Sequence, residues 1–141
     1  MLLFLNSLLM NKNSISDFNI SFLQNNTRRT SAVMTSALQM TYEQKTDFVL
    51  MQEISINMEL NLNTVVSHSV YYCILSEVNK LRLRVAIYTR KRLRFQVVIR
   101  YNIISDNNIL IINIIDLKKE LETIQLVNIY NKKLLKENDN R

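Results

Sequence analysis

The chain contains no glycine and no proline in its 141 residues, where average usage of roughly 7% and roughly 5% would place several of each. Glycine adopts positive φ at the lowest cost, so turns that need a left-handed residue must here be closed by another residue type. Asparagine and aspartate tolerate this region better than most other residues, and the chain has 18 asparagines. We therefore predict that Asn or Asp closes the turns that need positive φ.

A genetic explanation for the missing glycine and proline stands beside this structural one. Gly and Pro codons are rich in G and C, whereas Asn, Ile and Lys codons are rich in A and T. Drift of the coding sequence toward A and T would remove the first pair and enrich the rest. Under this explanation the chain is a degenerate coding sequence whose turn chemistry agrees less well with its fold.

The composition is that of one globular domain, with 48% hydrophobic and 21% charged residues. Cys73 is the only cysteine and His68 the only histidine. An intramolecular disulfide and a zinc site built from Cys and His are both excluded by these counts.

Positive charge is concentrated in one segment of a chain whose net charge is +6. Eight lysines and arginines fall within the 21 positions from Lys80 to Arg100. Such a stripe suits a phosphate backbone, and Arg90, Lys91 and Arg92 are its candidate nucleic-acid contacts. It is equally typical of a solvated strand edge whose charges prevent aggregation.

The two ends of the chain differ from its middle. Residues 1–10 are apolar but too short to span a bilayer and have no cleavage signal, so we expect residues 1–17 to form a poorly ordered apolar extension or a loose helix. Residues 18–133 form the predicted domain, and residues 134–141 are charged and aperiodic, as in a frayed tail.

Hydrophobic periodicity predicts one helix and seven strands, which indicates an α+β fold. Apolar residues recur at helical spacing from Thr30 to Lys45, with Thr27 or Thr30 as the N-cap. Segments rich in β-branched and aromatic residues predict the strands. They are Phe18–Gln24, Asp47–Glu53, Tyr71–Leu75, Val85–Thr89, Phe95–Tyr101, Asn108–Asp116 and Ile124–Tyr130.

Five short segments occur in an order that resembles a known superfamily. They are FLQNNTRR, LMQE, VAIYTRK, ILIINIID and IQLVNIYN, between Phe18 and Lys133. This order is similar to the N-terminal half of endonuclease/exonuclease/phosphatase domains, and most of all to those of LINE-type (non-LTR) retrotransposons. The resemblance implies an incomplete αββα four-layer sandwich of the deoxyribonuclease I type, with one main helix and a mostly antiparallel sheet.

The resemblance also implies site residues. Glu53 in LMQE matches the family's metal-binding glutamate, and a lone carboxylate suits Mg²⁺, which takes oxygen ligands and keeps water and phosphate oxygens for the rest. Asn26 matches the asparagine that helps to orient the metal, with Asn25 as the alternative if the register shifts by one. Tyr130 matches a tyrosine near the scissile phosphate, where a phenol can stabilise growing negative charge. Arg28 and Arg29 flank this site and are candidate DNA contacts.

Each of these residues also has a simpler structural explanation. Glu53 could end a strand in water, either asparagine could be a turn residue, and Tyr130 could pack by its ring alone. Arg28 and Arg29 could be solvated side chains near a helix start.

The sequence departs from the family after NIY. The family continues with a Gly-Asp-Phe-Asn segment and a closing Ser-Asp-His, and this chain reaches Arg141 without either. Ser105-Asp106-Asn107 lacks the histidine and precedes two strands of the first half, so we interpret it as a turn. We therefore expect a truncated and inactive fragment of a Mg²⁺-dependent DNA endonuclease from a degenerate retroelement. The alternative is a small basic nucleic-acid-binding or interaction module without catalytic activity.

The resemblance implies partners as well. DNA is the expected partner, bound weakly and nonspecifically, and the family context implies a linked reverse transcriptase. No membrane association is expected, and the location implied is intracellular, in the nucleus.

Overall fold

The computed structural model describes residues 2–4, 20–57, 64–75, 83–91, 93, 95–100, 108–116 and 123–130. One helix and ten strands lie within these ranges. In chain order they are β1 (Leu2–Phe4), β2 (Phe22–Asn26), α1 (Ser31–Glu43), β3 (Phe48–Gln52), β4 (Ile56–Asn57), β5 (Thr64–Val65), β6 (Tyr71–Leu75), β7 (Val85–Arg90), β8 (Phe95–Ile99), β9 (Ile109–Asp116) and β10 (Thr123–Ile129).

The predicted helix and all seven predicted strands are present, with shifts at their ends. The largest shift is in β2, which begins at Phe22 because the backbone N–H and the hydroxyl of Ser21 donate to the Asp47 carboxylate at 3.0 and 3.2 Å. Thr30 occupies the N-cap position of α1, but its hydroxyl donates to the Arg28 carbonyl instead of capping the helix.

The sequence did not predict three short strands. β4 and β5 pair with each other, and β1 pairs in parallel with β10. At Leu2–Phe4 the chain forms a strand paired to a sheet edge instead of the loose helix that was one alternative for this segment. Residues 5–19 and the predicted tail, 134–141, lie outside the described residues.

The larger strands form two four-stranded sheets. Sheet A has the order β1-β10-β9-β8, and sheet B has the order β2-β3-β7-β6. The β2–β3 and β1–β10 pairs are parallel, and the other pairs in both sheets are antiparallel. This arrangement confirms the predicted α+β class and the mostly antiparallel pairing.

The central strand β3 has an uninterrupted apolar run because both of its faces are buried. Successive side chains of a strand point to opposite faces of the sheet. Phe48 and Leu50 pack into the core between the two sheets, and Val49 and Met51 pack into the core beneath α1. All four are buried, so β3 has no face that tolerates a polar residue until Gln52.

The described residues stack as three layers, α1 on sheet B and sheet B on sheet A. The core between the sheets includes Val85 and Ile87 from sheet B and Ile112, Ile114 and Leu126 from sheet A. The core beneath α1 includes Met34 and Leu38 from the helix and Tyr88 from β7. Within the described ranges no helix is both long enough and apolar enough to cross a membrane.

One fully buried polar side chain joins the two sheets. The Asn128 amide, on β10, donates to the backbone carbonyls of Met51 on β3 and Ala86 on β7, both at 3.1 Å. Its Oδ1 accepts a longer hydrogen bond, 3.4 Å, from the Gln52 side chain. Because a buried amide is costly to leave unpaired, these bonds favour one position of sheet A on sheet B.

Replacing Asn128 tests this role. Asn128→Leu keeps the branched shape and the number of heavy atoms but removes the donors and the acceptor, and we expect the free energy of unfolding to fall by about 2 to 3 kcal/mol. Urea denaturation followed by circular dichroism measures the change. Asn113→Leu is the matched control, because Asn113 is a half-buried asparagine of β9 whose side chain bonds to Gln125. A variant of Asn128 as stable as the wild type would contradict the assignment.

Candidate functional site

Four strand ends meet at one edge of the two-sheet sandwich. Register pairs Gln52 of β3 with Asn26 at the end of β2 and with Val85 at the start of β7. The end of β10 reaches the same edge, because the Gln52 side chain donates to the Ile129 carbonyl. We call this edge, with Asn26, Glu53, Arg84 and Tyr130, the Glu53 rim.

The Glu53 carboxylate is the centre of the rim. The Tyr130 hydroxyl donates to its Oε1 at 2.9 Å, and the Asn26 side-chain amide also hydrogen-bonds to it. These two bonds, in that order, lower the pKa of Glu53, and the charges of Arg29 and Arg28 act in the same direction. Desolvation opposes them without reversing the shift, so the partly exposed carboxylate is ionised at neutral pH.

The loop after β2 is tied to the residues that end β3. The Thr27 N–H donates to the Gln52 carbonyl at 2.9 Å, and its hydroxyl donates to the Glu53 carbonyl at 2.8 Å. The Arg29 N–H donates to the same Glu53 carbonyl at 2.6 Å. Thr27 is fully buried, so the rim is assembled on a fixed backbone contact between two loops.

The backbone at the rim is left-handed at three positions. Arg28, Arg29 and Glu53 have φ values of 50°, 57° and 50°, and the fourth positive φ in the described residues is 57° at Lys45. The prediction that Asn or Asp would close such turns is wrong for these residues. Asn26 contributes differently: its Oδ1 accepts from the Arg28 N–H at 3.0 Å and supports a turn whose left-handed residues are arginines.

The structure brings together the three residues singled out by the resemblance, since Asn26 and Tyr130 both bond to Glu53. The structure also places Asn26 and Asn25 at different sites. Asn25 lines a groove of about 370 Å³ beside α1, together with Ala32 and Val33. Asn26 is therefore the asparagine at the Glu53 rim, and the catalytic and metal-binding roles of these residues remain predictions.

The predicted basic contacts fall into two groups. Arg28 and Arg29 lie in the loop at the Glu53 rim. Arg90 and Lys91 lie at the other end of β7, about 17 Å from its start at the usual rise per residue, where their N–H groups donate to the carbonyls of Asp47 and Val70. Arg92 and the rejected Ser105-Asp106-Asn107 segment lie outside the described residues.

Sequence reasoning missed Arg84, Gln52 and Asn128. Arg84 directly precedes β7, and its guanidinium carbon lies 5.4 Å from the centroid of the Tyr130 ring. The β3–β7 register places Arg84, the residue before β7, beside Glu53, the residue after β3, and the sequence alone does not give that register. Gln52 and Asn128 gave no signal in the sequence either, since their roles depend on contact between the two sheets.

The donor set at the rim fits Mg²⁺, the metal that the resemblance implies. The described residues contain no group of three or more His, Cys, Asp or Glu that could hold a metal. Their carboxylates other than Glu53 are Glu43, Asp47 and Asp116, at the far ends of their elements. A single ionised carboxylate is nevertheless a usual protein share of a Mg²⁺ site when substrate phosphates supply further oxygens. Glu53 keeps acceptor capacity beyond its bonds to Tyr130 and Asn26.

Comparisons with known proteins give a fold and no sequence family. No protein-family model matches the sequence, and no curated protein matches it. Among solved structures the chain is similar to the "Endonuclease domain of TRAS1, a telomere-specific non-LTR retrotransposon", with a TM-score of 0.60 and 18% sequence identity. The likeness covers 80% of this chain and 46% of that one, so the chain spans less than half of the solved domain. It has the fold of a non-LTR retrotransposon endonuclease domain over that part.

The Tyr130 hydroxyl is the main cause of the lowered Glu53 pKa, which gives a direct test of the rim. Tyr130→Phe should raise the pKa of Glu53 toward its ordinary value of 4.5, and Asn26→Ala should raise it less. Because the folded pKa lies below 4.5, the stability from these bonds is present above that pH and is lost as pH falls below it. A carbon-detected NMR titration of the Glu53 carboxyl measures the shift.

Tyr72→Phe is the control for this titration. Tyr72 is an exposed tyrosine on the edge strand β6, and its hydroxyl should not affect Glu53. An unchanged Glu53 titration in Tyr130→Phe would show that the hydrogen bond does not exist in solution.

Proposed function

We propose that this chain binds the phosphodiester backbone of DNA at the Glu53 rim, with Mg²⁺ held by Glu53, and that its 141 residues do not cleave DNA by themselves. The observation that carries the proposal is the Glu53 carboxylate bonded to Tyr130 and Asn26 within the fold of a retrotransposon endonuclease domain. On this proposal the chain is a partial, inactive endonuclease domain.

Each rim residue has a part in binding. Glu53 would hold the metal, whose charge would attract phosphate oxygens and offset their negative charge. Asn26 orients the carboxylate through its amide. Tyr130 contributes a hydroxyl donor, which in the absence of substrate bonds to Glu53 at 2.9 Å and can reach a nearby anionic oxygen by rotation of its O–H.

Two basic regions would support this binding. Arg28 and Arg29 already act on Glu53 through their charge, and they would contact a strand that crosses the rim. Arg90 and Lys91 would form a second contact region at the other end of β7, and Arg92 stays a candidate contact from the sequence. Contacts of this kind are sequence-independent and weaken as salt concentration rises.

We propose binding without hydrolysis because, apart from Glu53, the described residues place no group at the rim that would take the proton of an attacking water. Efficient hydrolysis of a phosphodiester uses a group placed to take a proton from the attacking water. The only histidine, His68, bonds instead to the Gln39 side chain at 3.4 Å and to the Val70 N–H at 3.1 Å, next to Tyr71, whose register partner is Arg90 at the far end of β7. Among the described residues no second carboxylate reaches the rim.

The resemblance extends the proposal in three further respects. A second helical layer on the outer face of sheet A would complete the αββα sandwich. A degenerate retroelement would account for the absence of glycine and proline, and its linked partner would be a reverse transcriptase. Binding to DNA would place the chain in the nucleus.

Binding of a fluorescein-labelled DNA duplex, followed by anisotropy, tests the proposed function. Mg²⁺ should tighten binding by the wild-type chain relative to EDTA, and Glu53→Gln should lose this gain because a neutral amide holds the metal poorly. Glu43→Gln is the matched control, since Glu43 is an exposed glutamate at the far end of α1. We expect that variant to retain the full Mg²⁺ effect.

Two outcomes would contradict parts of the proposal. Affinity that is the same with Mg²⁺, with EDTA and in Glu53→Gln would favour a basic nucleic-acid-binding module without a metal site. Nicking of supercoiled plasmid with Mg²⁺, lost in Glu53→Gln, would show that the chain is an active nuclease.

A further inference from the structure

Arg84 lies on the face of the Tyr130 ring. Its guanidinium carbon is 5.4 Å from the ring centroid, and the residue is half-buried. Arg84 directly precedes Val85, which is paired with Gln52, so Arg84 lies at the Glu53 rim. One aromatic ring therefore has a carboxylate at its hydroxyl and a guanidinium over its face.

The contact with the Tyr130 ring does not use the N–H donors of Arg84. A cation on an aromatic face is held by the ring's charge distribution and not by its N–H groups, and a guanidinium has five N–H donors in a planar fork. Within the described residues the Arg84 side chain makes this ring contact and no ion pair. Tyr130 thus restricts where the guanidinium lies without using its N–H donors.

The Glu53 rim has cations on two sides. Arg28 and Arg29 act on the carboxylate from the loop after β2, whereas Arg84 approaches from β7 and across Tyr130. A phosphate that shares a metal ion with Glu53 would lie between these two sides. A guanidinium binds two phosphate oxygens at once through parallel hydrogen bonds.

We propose that Arg84 binds a phosphate group of the nucleic-acid strand at the Glu53 rim, held in position by the Tyr130 ring. This inference rests on the proposed function and adds a residue that sets how the backbone lies across the rim. A lysine could occupy the ring face but not bind two oxygens in one plane, so the arginine fork is the feature that the inference requires.

The other end of β7 provides a matched comparison. The Lys91 ammonium lies 4.9 Å from the centroid of the Tyr72 ring, and Tyr72 is 61% exposed. This is also a cation on a tyrosine face, but the rim carboxylate lies at the opposite end of the strand. Loss of Lys91 therefore controls for loss of one positive charge and one ring contact.

The test is a salt titration of DNA-duplex binding in Mg²⁺, followed by anisotropy. Arg84→Met keeps the length of the side chain, and we expect affinity to fall about 10-fold and the slope of log K against log salt to fall by about 0.9. Arg84→Lys should keep the slope but bind more weakly than the wild type. The loss in Arg84→Met should shrink in a Glu53→Gln background, whereas any loss in Lys91→Met should be the same in both backgrounds.

A second pair of variants tests the part of Tyr130. Tyr130→Phe keeps the ring, so removing Arg84 from it should still lower the salt slope. Tyr130→Leu removes the ring, so a further loss of Arg84 should have little effect. Thermal unfolding of each variant shows that the chain is folded at the assay temperature, and Arg84→Lys provides a folded reference that keeps the ring contact.

The outcomes separate this inference from the proposed function. If Mg²⁺ and Glu53 matter but Arg84→Met binds with the wild-type affinity and slope, the phosphate contact of Arg84 is refuted and the proposed function stands. If binding ignores Mg²⁺ and Glu53 but Arg84→Met lowers the slope, the contact is supported and the metal site is refuted. A wild-type chain that does not bind DNA would overturn both.

Discussion

The position of sheet A on sheet B determines whether there is a site at all, and Asn128 is the polar residue that specifies this position. Apolar packing between sheets tolerates small shifts because it has little directionality. The Asn128 amide, by contrast, must reach two carbonyls on two neighbouring strands. Two residues further along the chain Tyr130 then meets Glu53 at 2.9 Å. Without the Asn128 hydrogen bonds, the position of Tyr130 relative to Glu53 would not be specified.

Because the chain has no glycine, the left-handed residues of the rim raise the free energy of the folded state. A left-handed residue with a Cβ costs roughly 1 to 2 kcal/mol, and the rim has three of them, Arg28, Arg29 and Glu53. The Thr27 side chain and the Arg29 N–H both donate to the Glu53 carbonyl, which offsets part of this cost. Strained residues cluster at functional sites when the surroundings hold them in place, and here the strained backbone carries the Glu53 carboxylate. Three of the four left-handed residues of the described chain therefore lie at the rim.

The elements could be predicted because they depend on local patterns, since alternating and uninterrupted apolar runs gave the strands. The three main rim residues, Asn26, Glu53 and Tyr130, came from the resemblance of the segment order to a known superfamily. Charge alone could not predict which lysines and arginines of the basic segment lie at the rim. Lys80 to Arg100 forms one stripe in the sequence, yet the β3–β7 register places Arg84 at the rim and Arg90 at the opposite end. Gln52 and Asn128 escaped prediction because their partners come from another sheet.

The two ends of β7 show that positive charge alone indicates a function less well than positive charge beside a hydroxyl donor and a carboxylate. Each end has a cation over a tyrosine ring, Arg84 over Tyr130 and Lys91 over Tyr72. Of these two rings, the described residues show only the first donating its hydroxyl to an ionised carboxylate, and three of the four left-handed residues lie beside it. A phosphate near Lys91 would meet positive charge alone. A phosphate near Arg84 would meet positive charge, a hydroxyl donor and a carboxylate able to share a metal ion, which together specify an orientation as well as an attraction.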